Sequence, residues 1–62
     1  MPLVKVEMWK GRTAEQKEKM IKGITDVMCE TTGCGREHVW VVISDVDKEN
    51  WGINGIQCSK TK

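Results

Sequence analysis

A single helical stripe limits what this chain can fold into. Met20, Ile21, Ile24, Val27, Met28 and Thr31 recur at spacings of three and four, the pattern of one buried helix face. Lys17, Lys19, Lys22 and Asp26 fall largely outside the stripe. Thr13 followed three residues later by Gln16 forms a capping box that starts the helix. Gly33 and Gly35 stand where a C-cap glycine is needed, so the helix is expected to end near Thr32. About twenty helical residues span roughly 30 Å, which leaves only short segments on either side.

Those segments have strand character. From Leu3 to Trp9, Val4, Val6 and Met8 alternate with Lys5 and Glu7, as in a half-buried strand. His38 to Ser44 is β-branched and aromatic on both faces, the composition of a strand covered on both sides. Strand, long helix and strand make a βαβ unit with parallel strands and a right-handed crossover. One helix covers one face of such a sheet. The other, carrying Trp40 and Val42, needs a partner from another subunit. Beyond Asp45, Trp51-Gly-Ile-Asn-Gly reads as a loop and short hairpin, and Ser59 to Lys62 is expected to be a poorly ordered tail. The fold class is therefore α/β: a single βαβ unit with a short C-terminal hairpin, oligomerising through the sheet, with residues 1–62 as one domain.

Size points the same way. A chain of 62 residues buries only about 60% of its unfolded surface and is marginal alone. The usual staples do not fit. Cys29, Cys34 and Cys58 are odd in number, and no apolar leader segment opens the chain, so free thiols in a reducing cytoplasm are expected. Cys34 and His38 do not amount to zinc-ligand spacing, so no metal is expected. A net charge of +1 gives no basic field for nucleic acid or membrane surfaces. No run of about 18 apolar residues spans a bilayer. The expected partners are a small molecule and further copies of the chain.

Standard catalytic motifs are silent: there is no Ser-His-Asp or Cys-His arrangement with a base and no phosphate-cradling glycine loop. Pro2 is the unusual residue, because removal of Met1 turns it into a free secondary amine. Taken with the rest of the chain, Pro2 is part of a resemblance. Pro2 opens the first strand, Gly11-Arg12 precedes Glu15-Gln16-Lys17 at the helix start, and Trp51-Gly52-Ile53 with Gly55 lies near the end. In this order and spacing, over nearly the whole chain, the sequence resembles the 4-oxalocrotonate tautomerase family, small βαβ subunits that begin with a catalytic proline.

The resemblance implies a cofactor-independent isomerase that moves a proton between keto and enol forms of a small 2-oxo or 2-hydroxy-enoic acid, built as a homo-oligomer, expected to be a hexamer. It makes Pro2 the general base. A model α-amino group has a pKa of about 7.7 to 8.0, an apolar pocket disfavours the ammonium form, and a neutral amine is what proton abstraction needs. Arg12 is implied as the group that binds a substrate oxygen and stabilises the developing enolate. Gly11 and Thr13 set it at a turn beside the strand that Pro2 opens. Trp51 matches the family's aromatic wall, usually phenylalanine. Trp40 is the departure, standing where the best-known members carry a second arginine for the far carboxylate of a dicarboxylate. Trp40 thus becomes an apolar substrate-binding position, and Arg36 is the nearest arginine that could replace the missing charge. Two other readings share these residues: hydratase or dehalogenase chemistry with a charged proline, and a non-catalytic oligomeric module in which Trp9, Trp40 and Trp51 are only interface anchors.

Overall fold

The computed structural model describes residues 2–60. The chain runs through β1 (Leu3–Trp9), α1 (Ala14–Thr32), β2 (Trp40–Val46) and a hairpin of β3 (Gly52–Ile53) and β4 (Ile56–Gln57). Single 3₁₀ turns occupy Arg36–His38, Lys48–Asn50 and Cys58–Lys60. The last of these orders part of the segment expected to be a loose tail, whose final two residues lie outside the described residues, as does Met1.

α1 begins and ends as its sequence requires. The Thr13 amide donates to Gln16 Oε1 at 2.9 Å, and the Gln16 amide donates to Thr13 Oγ1 at 3.1 Å, satisfying two donors that a helix start leaves open. At the other end Gly33 takes φ 77° and donates its N–H to the Cys29 carbonyl at 3.0 Å, a left-handed cap that a side chain would strain. β2 starts two residues later than the apolar run predicts. Residues 36–38 instead close a 3₁₀ turn, in which the His38 amide donates to the Gly35 carbonyl at 3.0 Å.

β1 and β2 pair in parallel, in a register running from Leu3 opposite Trp40 to Trp9 opposite Val46. Val4 lies towards α1, where it lines an open apolar groove of about 300 Å³ with Gly23, Ile24, Val27 and Met28. Lys17 reaches from α1 to the Asp45 carboxylate on β2, so the lysine expected on the solvent side ties helix to sheet. The helical stripe is not buried as expected. Ile21 and Val27 are exposed, and among the described residues only Thr25 and Cys58 are buried. A two-stranded sheet is too narrow to cover the apolar arc of the helix. On the face away from the helix Trp40, Leu3 and Val42 are 56%, 54% and 44% exposed. The hairpin turns at Asn54 and Gly55, both left-handed at φ 55° and 78°, and presents Ile53 and Ile56 to solvent. Among the described residues no helix is long and apolar enough to cross a membrane.

Extents of 43 × 24 × 14 Å and a radius of gyration of 14.6 Å far exceed the roughly 11 Å of a compact chain of this length. Open apolar faces on helix, sheet and hairpin cannot all stay wet. We therefore expect light scattering to show only oligomer wherever the chain is folded; a stable folded monomer at low micromolar concentration would contradict this.

At the end of α1 an exposed ion-pair cluster joins helix to 3₁₀ turn. Arg36 Nη1 lies 2.6 Å from Asp26 Oδ1, and Lys22 Nζ lies 3.2 Å from Asp26 Oδ2. Hydrogen bonds from Arg36 and then from Lys22 hold the Asp26 carboxyl below its ordinary value of 3.8. A depressed folded-state pKa contributes stability above the unfolded value and loses it as pH falls through the folded one. The effect is small because the cluster is solvated. Thermal midpoints measured from neutral pH down through the aspartate range should fall less steeply for Asp26→Asn than for wild type. Parallel acid limbs would remove Asp26 as a contributor.

Candidate active site

The sequence nominates Pro2, Arg12, Trp40 and Trp51, and the fold sorts them into two groups at opposite ends of β1. Pro2 is half-buried and heads the strand. Its carbonyl accepts the Trp40 amide at 3.0 Å, so the first rung of the parallel ladder sets Trp40 beside it. Leu3 and Trp40 face each other across that rung, and both lie on the open side of the sheet, 54% and 56% exposed. Lys5 pairs with Val42 one step further along that face, and its side chain is exposed.

Arg12 lies past the far end of the strand. β1 closes at Trp9, the Lys10 amide donates to the Val46 carbonyl at 3.0 Å, and Lys10 Nζ pairs with Asp47 Oδ1 at 3.1 Å. With Lys10 tied back to the end of β2 and Thr13 fixed as the helix cap, Gly11 and Arg12 form a short exposed bridge. The Arg12 guanidinium makes no ion pair or hydrogen bond with the described residues and so is free to take an anion. The turn is defined as expected, but it is not beside Pro2. The seven residues of β1 put roughly 20 Å or more between the two at about 3.3 Å per residue. No small acid can touch both in one chain.

Trp51 belongs with the Arg12 end. Its ring packs edge-on against Trp9, with centroids 5.9 Å apart and planes at 77°. Its carbonyl accepts the Cys58 amide at 2.8 Å. Trp51, Glu49, Gly52, Ile56 and Gln57 line a second open concavity of about 430 Å³. Neither this concavity nor the helix groove includes Pro2, Arg12 or Trp40. Arg36 is already engaged by Asp26, and so is poorly placed to supply the missing charge. Among the described residues no three His, Cys, Asp or Glu side chains converge to hold a metal. Sequence reasoning treated Trp9 only as a possible interface anchor and overlooked its packing on Trp51, along with Lys48, whose Nζ lies 4.7 Å above the Trp9 ring centroid. The available signal was Trp9 closing the alternating run one rung from the turn that carries Arg12.

Known proteins resemble this chain in both sequence and fold. The profile of the family described as Tautomerase enzyme matches residues 2–60. The 2-hydroxymuconate tautomerase of Comamonas testosteroni is 40% identical over 60 residues, covering 97% of this chain and 95% of that protein. The crystal structure of YwhB, a homologue of 4-oxalocrotonate tautomerase, superposes with a TM-score of 0.95 at 34% identity, over 98% of this chain and all of the other. A structure from the study of the 4-oxalocrotonate tautomerase isozymes of Methylibium petroleiphilum gives a TM-score of 0.88 at 43% identity, over 94% of each chain. Likeness of this extent in both sequence and backbone makes the chain a member of the tautomerase family, and so an isomerase.

Proposed function

We propose that this chain assembles into a homo-oligomer, a hexamer as in the resembled family, and interconverts keto and enol forms of a small 2-oxo or 2-hydroxy-enoic acid with Pro2 as general base. The observation that carries the proposal is the position of Pro2. It is half-buried at the head of the sheet, and its carbonyl is occupied by the Trp40 amide. Once Met1 is removed, its nitrogen is a ring amine at the head of a strand, and the neutral amine is the form that takes up a proton.

The chemistry needs two ends of the fold. The neutral Pro2 amine takes a proton from the enol hydroxyl, or from carbon in the reverse direction, and returns it at the other site, so the reaction is redox-neutral and adds nothing. Arg12 holds the carboxylate and the oxygen on which enolate charge develops. Trp51 excludes water from that charge. Because Pro2 and Arg12 are separated by the length of β1, the Arg12 and Trp51 of one copy serve the Pro2 of another. The apolar faces left open in the single chain are what brings the copies together.

Trp40 bears on the substrate. An indole that is 56% exposed beside Pro2 offers apolar surface and no second cation, which suits an enol with a single carboxylate and an apolar or aryl tail. The relatives named for 2-hydroxymuconate make that dicarboxylate the substrate to test against. With 2-hydroxymuconate and phenylpyruvate enol measured side by side, the monocarboxylate should be processed at least comparably. Trp40→Arg should shift preference towards the dicarboxylate. A large wild-type preference for 2-hydroxymuconate in kcat/KM would refute this substrate reading.

Pro2→Ala keeps a free amine but loses the ring. With Met1 shown to be absent by mass, its kcat on phenylpyruvate enol should fall by about 10² to 10⁴, the usual worth of general-base catalysis, while KM changes much less. Arg12→Ala should raise KM and lower kcat together, because the charge contacts both the bound carboxylate and the developing enolate. Wild-type rates in Pro2→Ala would sink the mechanism.

A further inference from the structure

The Trp51 ring is held by a unit that the reaction itself does not require. Trp9 meets it edge to face, with centroids 5.9 Å apart and planes at 77°, the arrangement that aromatic pairs favour. Lys48 places Nζ 4.7 Å from the Trp9 ring centroid, within cation–π range. The same Lys48 accepts the Trp51 amide on its carbonyl at 3.2 Å, so one residue contacts both members of the aromatic pair, one through its side chain and the other through its backbone. Gln57 Nε2 donates to the Glu49 carbonyl at 2.7 Å, which fastens this 3₁₀ turn to β4. Trp9 Nε1 is buried without a hydrogen-bond partner among the described residues. No hydrogen bond therefore orients the Trp9 ring, and its packing on Trp51 and Lys48 does so instead. A buried N–H without an acceptor is unfavourable, so the ring keeps this place through those contacts.

We propose that Trp9, clamped by Lys48, is a positioning residue that holds Trp51 in the orientation in which it walls the substrate pocket. The inference rests on the reading of Trp51 as that wall. Trp9 sits at the end of β1, one of the two strands of the parallel ladder, so the wall is referenced to the rigid sheet and not to the hairpin alone. Fixing the wall affects how well the acid is held and desolvated. The proton transfer remains the work of Pro2.

The test measures KM and kcat separately on phenylpyruvate enol for Trp9→Leu, Trp9→Phe, Lys48→Met and Trp51→Leu, each with Met1 absent and the oligomer confirmed by light scattering. Trp9→Leu should raise KM about two- to tenfold, with kcat falling by less than that, the range set by the worth of an edge-to-face pair. Trp9→Phe keeps an aromatic edge and should restore KM to near wild type. Lys48 is exposed, so Lys48→Met leaves folding intact and should raise KM about two- to fivefold through loss of the cation–π contact alone. If Trp51→Leu raises KM while Trp9→Leu and Lys48→Met leave it at the wild-type value, the positioning role is overturned and the wall stands. If Trp51→Leu itself leaves KM unchanged, the wall reading fails and takes the inference with it. An equal rise in Trp9→Phe and Trp9→Leu would also overturn it.

Discussion

Two seven-residue strands that pair in parallel must be joined by a crossover, and here that crossover is one helix. The ladder from Leu3–Trp40 to Trp9–Val46 consequently has a single cover, and the helix has only a two-stranded floor. The exposure of Trp40, Leu3 and Val42 on one side and of Ile21 and Val27 on the other follows from that shortage of partners, as does the radius of gyration of 14.6 Å. Apolar burial is the main favourable term in folding, and this chain leaves most of its apolar side chains partly wet. On the account proposed here, association supplies the missing cover.

The same ladder separates the residues proposed to carry the chemistry. Its first rung sets Pro2 against Trp40, and its last sets Trp9 against Val46, next to the turn that presents Arg12 and the hairpin that presents Trp51. With the roles proposed for Pro2 and Arg12, a proton acceptor at one end and an anion holder at the other cannot share a substrate within one chain, so assembly and catalysis would make the same demand. This also explains why neither concavity of the single chain contains the residues to which the reaction is assigned. On the proposed reading the pocket belongs to the assembly, and a single chain carries only its two halves.

Local signals in the sequence were legible where they are satisfied locally. The Thr13–Gln16 box and Gly33 placed the ends of α1 because caps are made within a few residues of the chain. The alternation of Val4, Val6 and Met8 gave the bounds of β1, and Asn54-Gly55 the hairpin turn. The start of β2 was placed early, since His38 and Val39 are apolar or aromatic enough to read as strand while their amides close a 3₁₀ turn on Gly35 and Arg36. Burial of the helical stripe was overestimated, because periodicity shows which face is apolar and is silent on whether the same chain can cover it. Pro2, Arg12, Trp40 and Trp51 were nominated through resemblance to a family, but their separation into two groups was not foreseen, since it follows from how long β1 is and which end each residue occupies. Packing of Trp9 with Lys48 and Trp51 depends on contacts between residues about forty positions apart, which no local pattern carries.

That the site is shared between copies is the central claim, and complementation between two inactive variants tests it directly. Pro2→Ala and Arg12→Ala chains, each nearly inactive alone, are unfolded together, refolded as a mixture and assayed on phenylpyruvate enol. If Pro2 and Arg12 act from different chains, mixed oligomers contain sites in which both residues are intact, and activity should return to a substantial fraction of wild type. If the two act within one chain, every site in the mixture lacks one of them, and the mixture will be no more active than the two variants kept apart.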